Sequence, residues 1–366
     1  VRAPDVKPFN DTEKKPERRG LPWVFKTSAS LLCKAGVLLW PLLLLSLWLP
    51  QNWNRTDDLR DTPIYYDALR RVLEGLPLYQ PWPGYGPDQF LDRYFYPPPF
   101  AAFFAPLGQL SPQVFSNLWY LLLLAAFWIY AWCLARLACR RVSAFKVLAA
   151  GLLLWLFPFG RLALTYGNAE PFVWALFGLA LTSNAKGRGI ALSIAALIKI
   201  HPLLTLLVAW RREGKAVALP AAITLAAGFL LSVLVFGIGA YRGWWAAVPP
   251  VVGQGSFNHA NFSLSFAGLR LARELGWQYH GGPLPAAARL YLTVMGFAGP
   301  GVAVYLSRKW RPKLQYAFVA NAAILFAPLC WHMYLPLLLT PAAIYFKEWS
   351  ARRDASPLAS PGVLPA

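Results

Sequence analysis

The chain has 366 residues, of which 57% are hydrophobic and only 14% charged. A soluble domain averages about a quarter charged residues. Uncharged apolar runs recur here from residue 35 to residue 346, so the bulk is neither a soluble enzyme, a secreted disulfide scaffold nor a disordered tail. It reads as an all-α polytopic membrane protein. Lys+Arg 35 against Asp+Glu 16 gives a net charge of +19. The basic residues sit in short clusters between apolar runs, the pattern of cytoplasmic loops, and no nucleic-acid partner is expected. The four cysteines, Cys33, Cys133, Cys139 and Cys330, form no CxxC pair, so neither a disulfide framework nor a zinc site is indicated.

In chain order, residues 1–34 form a polar, basic cytoplasmic tail, 35–347 the membrane-embedded domain, and 348–366 a second cytoplasmic tail. A first span at residues 35–50 leads to a long outer loop, 51–98. Within the loop, residues 62–75 predict an amphipathic helix. Thr62 is its natural N-cap, Pro63 fits the first helical position, and Gly75 can close it. Residues 100–110 are too short to span and read as a re-entrant or interfacial element. Spans follow at 114–137, 147–164 and 170–183.

Residues 189–210 are long enough to cross once, but that would carry Arg211, Arg212 and Lys215 outside and invert everything after them. A break at Ile200-His201-Pro202 resolves this if two half-helices enter and return. Spans at 216–236, 290–306, 314–329 and 333–346 complete the chain, with a second outer loop at 241–285. The sum is about ten membrane helices or half-helices with both termini inside.

Seven of the 16 acids fall in loop 51–98, and only Glu170, Glu213 and Glu274 occur between Pro99 and Phe346. Outward-facing chemistry that needs a carboxylate has a short list to draw on. Asp61, just before the amphipathic helix, is either a cap that favours the helix dipole or a general base at the membrane boundary, and Asp57 and Asp58 compete for both roles.

Asp61-x-x-x-Tyr65-x-x-Ala68, then Gly75-x-x-Leu78-Tyr79 and Tyr96-Pro97-Pro98, resembles the outer loop of glycosyltransferase family 87, integral-membrane enzymes of the C-type superfamily. Gly167-Asn168, Lys199-Ile200-His201-Pro202, Asn261-x-Ser263-Leu264 with Arg270, and Pro328-Leu329-Cys330-Trp331-His332 are similar to further family segments, in the same order. Glu170 departs from the pattern, and the histidine stands one place early. The resemblance covers about residues 30–347. It implies inverting transfer of a sugar, mannose above others, from a polyprenyl-phosphate donor to a glycolipid or glycan acceptor. The active site would face the periplasm or exterior, with Asp61 as base and Tyr65 and Asn168 at the substrate.

Such a transfer needs one carboxylate to take the acceptor's proton and needs cations or donors at the departing phosphate. Lys199 interrupts an apolar run at the proposed break, where an ionisable group suggests a function; a lysine snorkelling to headgroups is the bland alternative. His201 beside it orients the turn or touches substrate. His332 and Trp331 suit phosphate and sugar, or an interfacial aromatic belt. Arg161, Arg270, His259 and Asn261 are candidates for donor or acceptor contact, against structural roles in their loops. No Gly-rich nucleotide loop and no metal-ligand spacing occurs, so neither cofactor nor metal is expected. The competing class is a transporter or flippase for a polyprenyl-linked sugar. A proton-coupled carrier would place carboxylates inside its spans, whereas these gather in an outer loop.

Overall fold

The computed structural model describes residues 61–79, 93–280 and 282–355. The expected N-terminal tail, the first span, Asp57 and Asp58 lie outside them, as does most of the C-terminal tail. Among the described residues every regular element is helical, and the single β-type contact is an isolated bridge between Asn261 and Trp331. The helices are α1 (Thr62–Leu73), α2 (Pro98–Phe104), α3 (Pro112–Ala138), α4 (Ala144–Leu156), α5 (Pro158–Thr165), α6 (Glu170–Thr182) and α7 (Ala185–Ile198). There follow α8 (Pro202–Glu213), α9 (Lys215–Phe236), α10 (Gly239–Val252), α11 (Leu264–Glu274), α12 (Ala286–Ser307), α13 (Pro312–Leu325) and α14 (Leu339–Ala355).

Three of these, α3, α9 and α12, are long and apolar enough to cross a membrane, and a fourth span results if the bent pair α4–α5 is counted as one. This is a multi-pass, membrane-embedded α-helical protein. Among the described residues the other helices are too short to cross a core of about 30 Å alone, so the expected total of about ten helices or half-helices is not confirmed. Helix α3 is central: Phe115, Trp119, Leu123, Phe127 and Tyr130 are all buried, at intervals of three and four residues. Helix α9 is the opposite, exposing Leu219, Ile223, Leu230 and Leu234. Such a surface is stable only against acyl chains or another apolar face.

Several expectations are corrected. The third span does not run unbroken over 147–164: α4 stops at Leu156, and the chain bends by 81° into α5. Pro158 supplies the cause, since it lacks the N–H that would continue the ladder. The last span does not start as an α-helix at Met333; a 3₁₀ helix occupies His332–Leu338, and α14 continues past residue 347 to Ala355. The second outer loop is also largely helical, built from α10 and α11. Residues 100–110 are short helical pieces, α2 and a 3₁₀ turn at Ala105–Gln109.

The break at residues 199–201 is present, with α7 ending at Ile198 and α8 starting at Pro202. Direction can be read from side-chain pairings. Gly189 abuts Val217, Ser193 Oγ donates to the Ala221 carbonyl at 3.3 Å, and Leu197 abuts Gly228. Both numbers rise together, so α7 and α9 run parallel. Helix α8 connects them and returns antiparallel, as the ion pair between Arg188 at its neighbour's start and Glu213 at its own end requires. The half-helices thus form a hairpin with Lys199 at the tip. At its base Tyr316 donates to Glu213 at 2.7 Å and Arg212 to the Arg308 carbonyl at 2.5 Å, so three of the basic loops meet at one end.

Helix α1 matches the amphipathic expectation, with Tyr65, Ala68 and Leu69 buried. Its end is a Schellman closure: Leu76 N–H donates to Arg71 C=O at 2.8 Å, Gly75 N–H donates to Val72 C=O at 3.1 Å, and Gly75 adopts φ 68°. Its start differs from expectation, because Asp61 rather than Thr62 takes the N-cap position. Thr62 is pulled inside the helix and buried against Gly167.

Candidate functional site

Asp61 sits at the N-cap of α1, yet its side chain makes no capping hydrogen bond. Instead Oδ2 accepts from Asn168 Nδ2 at 2.5 Å, while the Asp61 N–H donates to the Tyr166 carbonyl at 3.2 Å. The carboxylate is thus turned toward the α5–α6 connection rather than back onto its own helix. Gly167 makes that approach possible: it adopts φ 63°, and a Cβ there would lie 1.9 Å from Thr62 Oγ1. Trp119 of α3 fixes the same connection from beneath, donating to the Gly167 carbonyl at 2.8 Å.

Asn168 links the Asp61 carboxylate to the start of α6. Its Oδ1 accepts from the Glu170 N–H at 2.9 Å, and Glu170 Oε2 pairs with Lys199 Nζ at 2.5 Å. Glu170 is fully buried at the start of α6, where the helix dipole favours an anion. Lys199 comes from the hairpin tip and also lies 4.2 Å from the Tyr334 ring centroid and 5.3 Å from that of Tyr96. Tyr96 closes the circuit, since its hydroxyl is 2.8 Å from Tyr65 Oη, which accepts the Ala169 N–H at 3.2 Å. Burial, and next the charge of Asp61, push the Tyr65 phenol above its ordinary value, so it stays protonated.

A second layer lies over this one. Asn261 is buried and its amide is engaged on both sides: Nδ2 donates to the Ser256 and Pro328 carbonyls at 3.0 and 3.1 Å, and Oδ1 accepts from Cys330 N–H at 2.8 Å. Arg270 donates to the carbonyls of Asn258 and Asn261, each at 2.6 Å. Both side chains therefore brace the loop that pairs with Trp331. The bracing places His332, whose N–H donates to the Ala260 carbonyl at 3.1 Å and whose ring faces Phe159 and Tyr166 at 5.7 and 6.0 Å. The bend after α4 brings those two rings there. Burial lowers the His332 pKa, keeping the imidazole neutral, and its Nε2 is buried without a hydrogen-bond partner.

The fold therefore gathers Asp61, Tyr65, Asn168 and Lys199 into one bonded cluster, with His332 joined through Tyr166. His201 lies behind Lys199, its ring 6.2 Å from Tyr334. Trp331 flanks the cluster through the bridge to Asn261. Arg161 and His259 are exposed. Three participants carry no role in the sequence reading: Glu170, noted as a departure and reserve carboxylate, and Tyr96 and Tyr334. Glu170 had a legible signal, as one of only three acids in 248 residues from Pro99 to Phe346. Tyr96 stood out only as part of the Tyr96-Pro97-Pro98 motif, and Tyr334 did not stand out among 16 tyrosines.

The cluster can hold a proton acceptor and a cation at fixed separation on the rim of a membrane bundle, an arrangement suited to transfer of a group from a lipid-borne anion. No curated protein and no solved structure matches the chain. The profile of glycosyltransferase family 87 matches residues 94–339, two-thirds of the sequence, including Asn168, Glu170, Lys199 and His332 but beginning after Asp61. The chain belongs to glycosyltransferase family 87 and is a membrane glycosyltransferase.

Proposed function

We propose that this glycosyltransferase moves a sugar, mannose above others, from a polyprenyl-phosphate donor to a glycolipid or glycan acceptor on the outer face of the membrane. Transfer proceeds with inversion. Asp61 takes the acceptor hydroxyl's proton as that oxygen attacks the anomeric carbon, and Lys199 balances charge on the departing phosphate. A phosphate leaving group needs no protonation, so one carboxylate suffices where glycosidases commonly use two. His332, neutral and partly turned from its own loop, donates to phosphate or sugar, and Trp331 offers a stacking face. Asn261 and Arg270 act through the loop they brace. Arg161 and His259 are left to peripheral contacts with headgroup or acceptor, and His201 to supporting the hairpin tip.

The observation that carries this reading is the chain of contacts from Asp61 through the Asn168 amide to the Glu170 backbone N–H, with the Glu170 side chain holding Lys199. Placement on the outer face is supported by the hairpin, since its tip bears Lys199 while its base gathers Arg188, Arg212 and Arg308. The test is transfer of labelled sugar from polyprenyl phosphate to a membrane-glycolipid pool by purified protein. Asp61→Asn is expected to lose about a hundredfold or more. Equal transfer by wild type and variant removes Asp61 from the mechanism, and movement of donor across liposomes without transfer replaces the enzyme by a carrier.

A further inference from the structure

Two buried polar atoms next to the Lys199 pair, Glu170 Oε1 and the indole Nε1 of Trp174, make no hydrogen bond of ordinary geometry, although the two side chains interact. Both side chains are completely buried, and they stand one turn apart on α6, on the same face. Buried polar groups in folded proteins are nearly always paired. The carboxylate thus has one strong partner, Lys199 through Oε2, and one weakly held partner, the Trp174 indole, on which it can close when Lys199 leaves. Lys199 is also equipped to change partner, because the tyrosine rings at 4.2 and 5.3 Å hold the ammonium in place whichever anion it faces.

We infer that Glu170 is an exchangeable counter-ion for Lys199, releasing it to the donor's phosphate and reclaiming it to expel the phosphate left after transfer. The inference rests on the reading of Lys199 as phosphate ligand. During transfer the bond from the anomeric carbon to the phosphate oxygen breaks and its electron pair stays on that oxygen. The acceptor oxygen forms the new bond, and its proton passes to Asp61. The donor is a phosphodiester with one negative charge, and the product is a monoester with about 1.5 to 2 at neutral pH. A fixed carboxylate competing for the same lysine therefore opposes product more than donor. Glu170 is a positioning residue on this account: it touches Lys199, not the sugar.

The experiment measures kcat, donor KM and the product-inhibition constant of polyprenyl phosphate on full-length protein for wild type, Glu170→Gln and Lys199→Met. With the competing anion gone, Glu170→Gln is expected to bind polyprenyl phosphate about tenfold more tightly, with a lower kcat from slower release and no rise in donor KM. A residue with only a structural role would not tighten product binding. Lys199→Met is expected to raise donor KM. If it leaves donor KM and product inhibition unchanged, the phosphate-ligand reading falls. If it raises both while Glu170→Gln leaves product inhibition unchanged or weaker, the counter-ion inference falls alone. Wild type provides a check independent of variant folding: polyprenyl methyl phosphodiester should inhibit at least as well as the monoester. A tenfold preference of wild type for the monoester overturns the inference.

Discussion

The α7–α8 hairpin carries a buried ion pair at each end, and the two are built on opposite lines. At the base, Arg188 directs Nε to the Ala180 carbonyl, Nη2 to the Ser183 carbonyl and Nη1 to Glu213, which also accepts from Tyr316. Every nitrogen of that guanidinium has a partner, as does each carboxylate oxygen. At the tip, Lys199 and Glu170 share one short contact, Glu170 Oε1 makes no hydrogen bond of ordinary geometry, and aromatic rings surround the ammonium. A saturated pair locks a hairpin; an unsaturated one can exchange partners. The residue types follow that division, since arginine presents a rigid fork and never loses its proton, whereas lysine is a compact point charge that can.

The largest effect expected from breaking this contrast is at the base. Glu213→Gln leaves a buried arginine that stays charged, and stability should fall by about 3–5 kcal/mol. Kinetics per folded molecule should hardly change. Glu170→Gln should lower stability by less than half of that, because Lys199 keeps its tyrosine contacts, while its kinetics change. Melting curves in detergent, paired with active-site-normalised rates, decide the matter. Equal melting shifts for the two variants would show that the tip is as much a structural lock as the base.

Next in size is Gly167→Ala, which acts on the tip alone. A Cβ there meets Thr62 Oγ1 at 1.9 Å and sits on a backbone at φ 63°, so the start of α1 must move. Strain of about 1–3 kcal/mol is expected, and displacing Asp61 by about 1 Å can lower kcat a hundredfold. Unchanged kcat with a lowered melting point would mean that the Asp61–Asn168 contact matters for folding and not for transfer.

How much of this was legible beforehand follows from which forces are local. The amphipathic α1, its Gly75 closure and the proline break at residue 202 depend on neighbouring residues, and sequence alone places them well. Lys199 was legible because charge is rare in apolar runs. The bend after Leu156 was missed because a proline between two apolar segments is compatible with a straight or a bent path, and packing of α5 against the 3₁₀ helix His332–Leu338, distant in sequence, accompanies the bend. The exchange of Asp61 for Thr62 at the N-cap was missed for a similar reason: both residue types cap well, and contact with Gly167, 105 positions on, decides between them. Asn261 and Arg270 show the converse. The sequence offered substrate contact or loop support, and only the hydrogen-bond geometry shows how fully the Asn261 amide is used by backbone.

The smallest expected effect concerns another unsatisfied group near the tip. His332 is buried, which lowers its pKa from the ordinary value near 6.5. Above that value the imidazole is neutral in folded and unfolded chains alike, and the stabilisation from burying it is fully present. As pH falls below about 6.5 the unfolded chain takes up the proton first, so stability is lost progressively until the lowered folded-state pKa is passed. Melting temperature in detergent should therefore drop more between pH 7.5 and pH 5.5 for wild type than for His332→Asn. The variant keeps a donor of similar size but has nothing to titrate. A variant with the same pH slope as wild type would assign the acid sensitivity to groups other than His332.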